Sequence, residues 1–96
     1  MSPNRDNLAK KIIEKAPDAH TIIDQYQKID PETFAIVEQQ VNEIIARAKQ
    51  VLDNPAANAP PLKLTYGGQL VKRYDARQEI KQMGSLYELF YLGSCL

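Results

Sequence analysis

A long amphipathic segment in the middle of the chain limits the possible folds more than any other feature. It begins with Asp30-Pro31-Glu32, a typical helix start, because Asp caps a helix, Pro suits its first position and Glu is favoured near its positive end. Apolar residues then recur at alternating spacings of three and four, the heptad pattern of a buried helix face. We therefore predict a helix from Pro31 to Leu52 whose apolar face is covered by a helix of similar length. The apolar positions are Phe34, Val37, Val41, Ile44, Ala48 and Val51.

Two shorter helices are predicted before this segment. The first runs from about Pro3 to Lys15 and ends because Pro17 cannot continue it. The second is capped by Asp18 and runs from about Ala19 to Ile29. Both are much shorter than the third helix, so two arrangements remain open. The short helices lie end to end along the apolar face of the third, or that face packs against a second copy of the chain.

A linker is predicted at residues 54–61, between a helical part, residues 1–53, and a second part, residues 62–96. Its three prolines and two asparagines disfavour regular structure. A chain of 96 residues is too short for two separate cores. Both parts therefore belong to one domain, residues 1–96.

The adjacent glycines Gly67 and Gly68 allow two local structures. A phosphate-binding loop is excluded, because no Gly-Lys-Ser/Thr sequence follows them. Short runs with alternating apolar residues flank the pair, which favours a β-hairpin whose tight turn places both glycines at positive φ. The alternative is a helix that begins at Gly68 and continues through the basic residues that follow.

A final helix is predicted from Ala76 to about Leu92. Asp75 and Gln78 form the pattern of a capping box at its start, and Gly84 is expected to bend or break it. The predicted fold is therefore mainly α: three N-terminal helices, a Pro-rich linker, a short β-hairpin and a C-terminal helix. The apolar positions of the final helix are Ala76, Ile80, Met83, Tyr87 and Phe90.

The C-terminal segment from Leu86 to Leu92 is apolar around most of a helix circumference, which is typical of a helix buried on all sides. It forms either the core of a single molecule or a surface through which molecules associate. The two heptad faces and this segment are extensive for so short a chain, so we predict a protein–protein interaction or regulatory module that self-associates as a homodimer. The predicted partner-binding residues are Phe34, Val41, Ile44, Tyr87, Leu89, Phe90 and Tyr91.

The basic segment 63–81 supports an alternative function, a small nucleic-acid-binding regulator. Cations interleaved with tyrosines suit contact with phosphates and stacking on bases. Asp75 and Glu79 lie in the same segment and weaken its field, so an ordinary solvated surface or an acidic protein partner also fits. The residues predicted to contact nucleic acid are Lys72, Arg73, Arg77, Lys81, Tyr66 and Tyr74.

Composition argues against several other functions. Twelve basic and twelve acidic residues cancel, so bulk charge does not hold the protein to nucleic acid or a membrane. His20 and Asp24 share a helix face, but no nucleophile motif accompanies them. One histidine and the single Cys95 cannot complete a four-ligand zinc site. We expect no enzymatic activity, no metal and no cofactor, and the lone cysteine with no secretory or membrane-spanning segment predicts a cytoplasmic protein.

Overall fold

The structure, a computed structural model, describes the backbone of residues 3–54, 59–78 and 83–96 and the side chains of residues 5–54, 59–74 and 83–96. Within these ranges the chain forms four helices and no strand. The prediction of a mainly helical fold is confirmed. The helices are α1 (Pro3–Gln27), α2 (Pro31–Asp53), α3 (Thr65–Gln78) and α4 (Gly84–Cys95).

The helix α2 matches its prediction. A carboxylate oxygen of Asp30 accepts a hydrogen bond from the backbone N–H of Thr33 at 3.2 Å, and Pro31 occupies the first turn, where its missing N–H costs nothing. All six positions of the predicted apolar face are buried. The cap and the heptad spacing therefore define both the start and the orientation of this helix.

The helix α1 is continuous through Pro17, so the prediction of two separate N-terminal helices was wrong. Pro17 is exposed, and removal of its N–H disrupts one hydrogen bond on the solvent side. Thr21 donates its hydroxyl to the Pro17 carbonyl at 3.0 Å. The apolar residues of α1 keep spacings of three and four residues across Pro17, so the same helix face is buried on both sides of it. This burial outweighs the local loss of a hydrogen bond. The buried positions are Ala9, Ile12, Ala16, Ala19 and Ile23.

The helices α1 and α2 form an antiparallel hairpin that turns at residues 28–30. The N–H groups of Ile29 and Asp30 both donate to the Tyr26 carbonyl, at 3.0 and 2.8 Å, and the rings of Tyr26 and Phe34 stack beside the turn at 5.7 Å. The buried face of α1 carries three alanines, whose small side chains favour close packing of the two helices. These are Ala9, Ala16 and Ala19.

The predicted β-hairpin was wrong, because residues 65–78 form the helix α3, which includes both glycines. The Gly67 N–H donates to Oε1 of Gln40 at 3.1 Å, so a side chain of α2 satisfies a donor that the first helical turn leaves free. A Cβ at Gly67 would overlap that oxygen and lie 2.9 Å from Cε1 of Phe90. Gly67 therefore serves close approach between helices, not a turn with positive φ.

The predicted start of the final helix at Ala76 was also wrong. Ala76 and Gln78 belong to α3, and so does the backbone of Asp75, which was predicted to cap the next helix. The last helix begins at Gly84, the residue expected to interrupt it, with Met83 buried just before it. Ile80, assigned to the apolar face of the final helix, lies outside the described residues.

The helix α3 runs antiparallel to α2. Its beginning lies beside the middle of α2, where Gly67 contacts Gln40. Its later part lies beside the beginning of α2, where the rings of Tyr74 and Phe34 pack edge to face with their centroids 4.9 Å apart. The chain thus travels back along α2 after the connection that follows Asp53.

The helix α4 completes an up-down-up-down arrangement of four helices. A Cβ at Gly93 would lie 2.8 Å from Cγ1 of Ile44 and 3.0 Å from Cδ1 of Leu64, so α4 returns to the level where α3 began. On its other side, Glu88 forms a 3.0 Å ion pair with Lys15 of α1. The bundle measures 41 × 21 × 18 Å. None of its described helices combines the length and hydropathy that crossing a bilayer requires.

Candidate interaction surface

Most of the predicted partner-binding residues are buried inside a single copy of the chain. Phe34, Val41, Ile44 and Leu89 have no exposed surface, and Phe90 is only 7% exposed. The helices α1, α3 and α4 cover the apolar face of α2, so this face packs within one molecule and not against a second copy. These five residues form the core of one molecule.

The other two predicted residues lie at the surface of α4. Tyr91 is 68% exposed, and Tyr87 is half-buried. The core takes Leu86, Leu89, Phe90 and Leu92 from this helix. A narrow exposed strip remains at spacings of three and four residues, and it includes Glu88, Tyr91 and Cys95. Tyr91 is therefore a large aromatic residue on an otherwise polar strip.

A groove of about 700 Å³ lies on one side of Tyr91, between α1, the end of α2 and α4. Its apolar wall consists of Leu8, Ile13, Leu52 and the Tyr91 ring. Polar lining comes from both signs of charge, with Lys10, Lys11 and Glu14 on α1. Of these lining residues only Tyr91 was predicted to bind a partner, although Leu8 and Ile13 flank the heptad positions of α1, where partly exposed apolar side chains are expected.

A second groove, of about 540 Å³, lies on the other side of Tyr91, between the first part of α3 and α4. Leu62, Leu64 and Phe90 form its apolar wall together with Tyr91, and Lys72 contributes the one charged side chain among its lining residues. The two grooves share Tyr91, which forms a ridge between them. We call Tyr91 and these two grooves the α4 surface.

The residues predicted to contact nucleic acid are divided by the structure. Tyr66 is 53% exposed, and Lys72 and Arg73 are exposed on the same helix. Tyr74 is buried, so its prediction as a base-stacking residue was wrong. The side chain of Arg77, which belongs to α3, and the whole of Lys81 lie outside the described residues.

Tyr74 instead takes part in a cluster of three rings. Its ring lies 4.9 Å from Phe34 and 5.7 Å from Tyr26, with edge-to-face geometry in both pairs. Burial raises the pKa of the Tyr74 hydroxyl, and the negative charge of Asp30 and the neighbouring Tyr26 raise it further. The phenol therefore stays neutral at physiological pH, which suits a packing role at the contact between α3 and the α1–α2 hairpin.

The other candidates for chemistry remain isolated in the described part of the chain. His20 is half-buried and Asp24 is exposed, and no hydrogen bond or ion pair joins them there. Cys95 is an exposed free thiol at the end of α4. Among the described side chains, no three of His, Cys, Asp or Glu come together in a way that could hold a metal ion.

Comparisons with known proteins add no relative to this description. No family model matches the chain, and neither the curated proteins nor the solved structures contain a match. Inference about function therefore rests on the geometry of the α4 surface and of the exposed side of α3.

Proposed function

We propose that the protein is a non-enzymatic interaction module that self-associates through the α4 surface. The observation that carries the proposal is Tyr91, a large aromatic side chain that is 68% exposed between two apolar grooves. Large exposed aromatic residues beside apolar depressions are typical of association surfaces, and Tyr is among the residues that most often dominate binding energy.

A ridge beside a groove can be complementary to itself. In a dimer with two-fold symmetry, the same patch of both copies meets, so a ridge of one copy can enter a groove of the other and the reverse contact forms at the same time. Tyr91 and the larger groove meet this condition because they are adjacent on one face. Burial of the Tyr91 ring in both copies would supply the apolar core of the interface.

The charges around the larger groove also suit a second copy. Lys10 and Lys11 lie in this groove with Glu14, so the carboxylate of one copy can face the ammonium groups of the other. The formal net charge of the chain is zero, and no overall repulsion opposes association. A regulatory role in the cytoplasm, where reducing conditions suit the exposed Cys95, is part of the same proposal.

The proposal is tested by measuring molar mass with light scattering and sedimentation equilibrium from low micromolar to millimolar concentration. We expect a dimer at the upper end of this range. Tyr91→Ser should weaken dimerisation about tenfold or more, because truncation of a central aromatic residue typically costs about 2 kcal/mol. Circular dichroism should show unchanged helix content, since the side chain is exposed.

The matched control is Ile29→Ser. Ile29 is 70% exposed, but it lies at the turn between α1 and α2 and lines neither groove of the α4 surface. Its replacement removes a comparable exposed apolar group and should leave the dimerisation constant unchanged. A monomer at millimolar concentration would refute self-association, and equal effects of the two variants would refute the assignment to the α4 surface.

A further inference from the structure

A strip of α3 that is separate from Tyr91 presents an aromatic ring and cations to solvent. Tyr66, Gln69 and Arg73 follow one another at spacings of three and four residues, so they share one face of the helix. All three are exposed, as is Lys72 beside Arg73, and Lys72 also lines the smaller groove of the α4 surface. Lys63, also exposed, precedes Tyr66 by three residues on the non-helical segment that leads into α3. We call Lys63, Tyr66, Lys72 and Arg73 the α3 strip.

The cations of the α3 strip differ from the lysine on the opposite side of the bundle. Lys15 is paired with Glu88 at 3.0 Å. For Lys63, Lys72 and Arg73, the structure shows no ion pair with any carboxylate among the residues it describes. Arg73 lines a small pocket with Asp30 but forms no ion pair with it. An anionic ligand can therefore bind these cations without the breaking of an ion pair among the described residues.

We propose that the α3 strip binds single-stranded nucleic acid. Seven residues separate Tyr66 from Arg73, which is about 10 Å along the helix axis. This distance corresponds to about three nucleotides at the 3.4 Å spacing of a stacked strand. Cations lie on both sides of Tyr66 along the chain, so phosphates can contact Lys63 at one end and Lys72 or Arg73 at the other while a base stacks on the ring between them.

The exposed ring favours nucleic acid over an acidic protein. Unpaired carboxylates on a protein partner need only the cations, and Tyr66, 53% exposed in their midst, would contribute nothing specific to them. A base face stacks on tyrosine whatever its sequence. Base faces are accessible in single strands and are covered in duplexes, and a chain of zero net charge lacks the broad positive field by which duplex phosphates are usually bound.

The test is fluorescence anisotropy with a labelled oligothymidine strand, the matching duplex and a labelled polyglutamate peptide as probes. The strand should bind more tightly than the other two probes, and its affinity should fall as salt rises, because cations are released from the phosphates. Tyr66→Ser should weaken strand binding about tenfold, whereas Tyr66→Phe, which keeps the ring, should bind as the natural protein does.

Charge is tested by Arg73→Glu against Lys49→Glu. Both variants change the net charge by the same amount at exposed positions, but Lys49 lies on α2, outside the strip. Arg73→Glu should reduce strand affinity at least about tenfold and Lys49→Glu much less. Neither Tyr66 nor Arg73 lines the α4 surface, so dimerisation should be unaffected. No strand binding, equal binding by Tyr66→Ser, or polyglutamate binding as tight as strand binding would overturn the proposal.

Discussion

The α1–α2 hairpin and the α3–α4 pair are held together in different ways. The hairpin joins helices of 25 and 23 residues, and its contacts repeat at every turn because both helices carry the same heptad spacing. The second pair has helices of only 14 and 12 residues. Buried apolar side chains of both helices join it to the hairpin, together with specific contacts such as Gly67 with Gln40 and Tyr74 with Phe34. A repeated pattern tolerates a local fault such as Pro17, whereas no neighbouring repeat compensates for the loss of a specific contact.

The two pairs also differ in what they present to solvent. Of the three large hydrophobic side chains that are exposed in the described residues, two lie on the second pair, Tyr66 on α3 and Tyr91 on α4. The third, Ile29, belongs to the hairpin turn. The hairpin supplies most of the core and most of the lining of the larger groove. The attached pair supplies the exposed aromatic side chain at the centre of each proposed surface.

The largest effect is expected at Phe34, where the two regions meet. Its ring has no exposed surface, stacks on Tyr26 of the hairpin and contacts Tyr74 of α3. Phe34→Ala should lower the free energy of unfolding by about 3–5 kcal/mol, measured by urea denaturation, because it leaves a cavity and removes two ring contacts. Val37→Ala, at another fully buried position of α2, should cost only about 2 kcal/mol. Equal losses would show that the ring cluster does not specially join the two regions.

An increase in stability of about 2 kcal/mol is expected from Pro17→Ala. Alanine restores a backbone donor within α1 and is about 3 kcal/mol more favourable than proline in a helix interior. The greater freedom of the unfolded chain offsets up to about 1 kcal/mol of this gain. Thermal and urea denaturation followed by circular dichroism measure the difference. A loss of stability would mean that the proline sets the course of α1, contrary to the dominance of the heptad contacts.

The neighbouring glycines of α3 should respond in opposite directions. Gly67→Ala should destabilise the protein by about 1–2 kcal/mol, because the new methyl displaces Gln40 and presses on Phe90, which outweighs the gain in helix propensity. At Gly68 no heavy atom lies within 4 Å of the added Cβ, so Gly68→Ala should stabilise by about 0.5–1 kcal/mol. If residues 67 and 68 formed a tight turn, both variants would destabilise, since alanine disfavours positive φ.

Features of this fold that depend on neighbouring residues can be predicted from the sequence, whereas features that depend on contacts between distant residues cannot. The start of α2 depends on Asp30 and Pro31 alone, which are adjacent, and its prediction is confirmed. Pro17 was misread because a proline was taken as a helix end, although the spacing of Ala9, Ile12, Ala16, Ala19 and Ile23 continues across it. The continued spacing could therefore have been recognised from the sequence. The role of Gly67 could not, because it depends on a contact with Gln40, which is 27 residues away.

The candidate surfaces also combine features that the sequence indicates with features that depend on contacts between distant helices. The sequence indicated that the C-terminal segment is too apolar for an ordinary surface helix, which is consistent with the burial of Leu89 and Phe90. It could not say that Tyr91, one residue further, faces solvent between two grooves, because the grooves are formed by α1, α2 and α3. Likewise, Tyr66 and Tyr74 are both tyrosines of the same basic segment, and the sequence does not distinguish them. Only the packing of α3 exposes the first and buries the second.

The smallest effect is expected at the ion pair between Lys15 and Glu88, which joins the hairpin to α4 at 3.0 Å. The two side chains are 33% and 47% exposed, so water and salt screen the attraction and the ordering of two long side chains opposes it. Glu88→Gln should lower the free energy of unfolding by about 0.5 kcal/mol or less, and the difference should shrink as salt is added.

Glu43→Gln is the matched control, because Glu43 is exposed on α2 and has no ion pair within the described residues. A loss above about 2 kcal/mol at Glu88 would show that charge attaches α4 to the hairpin. A small loss together with a large one at Phe34 would show that apolar packing makes that attachment.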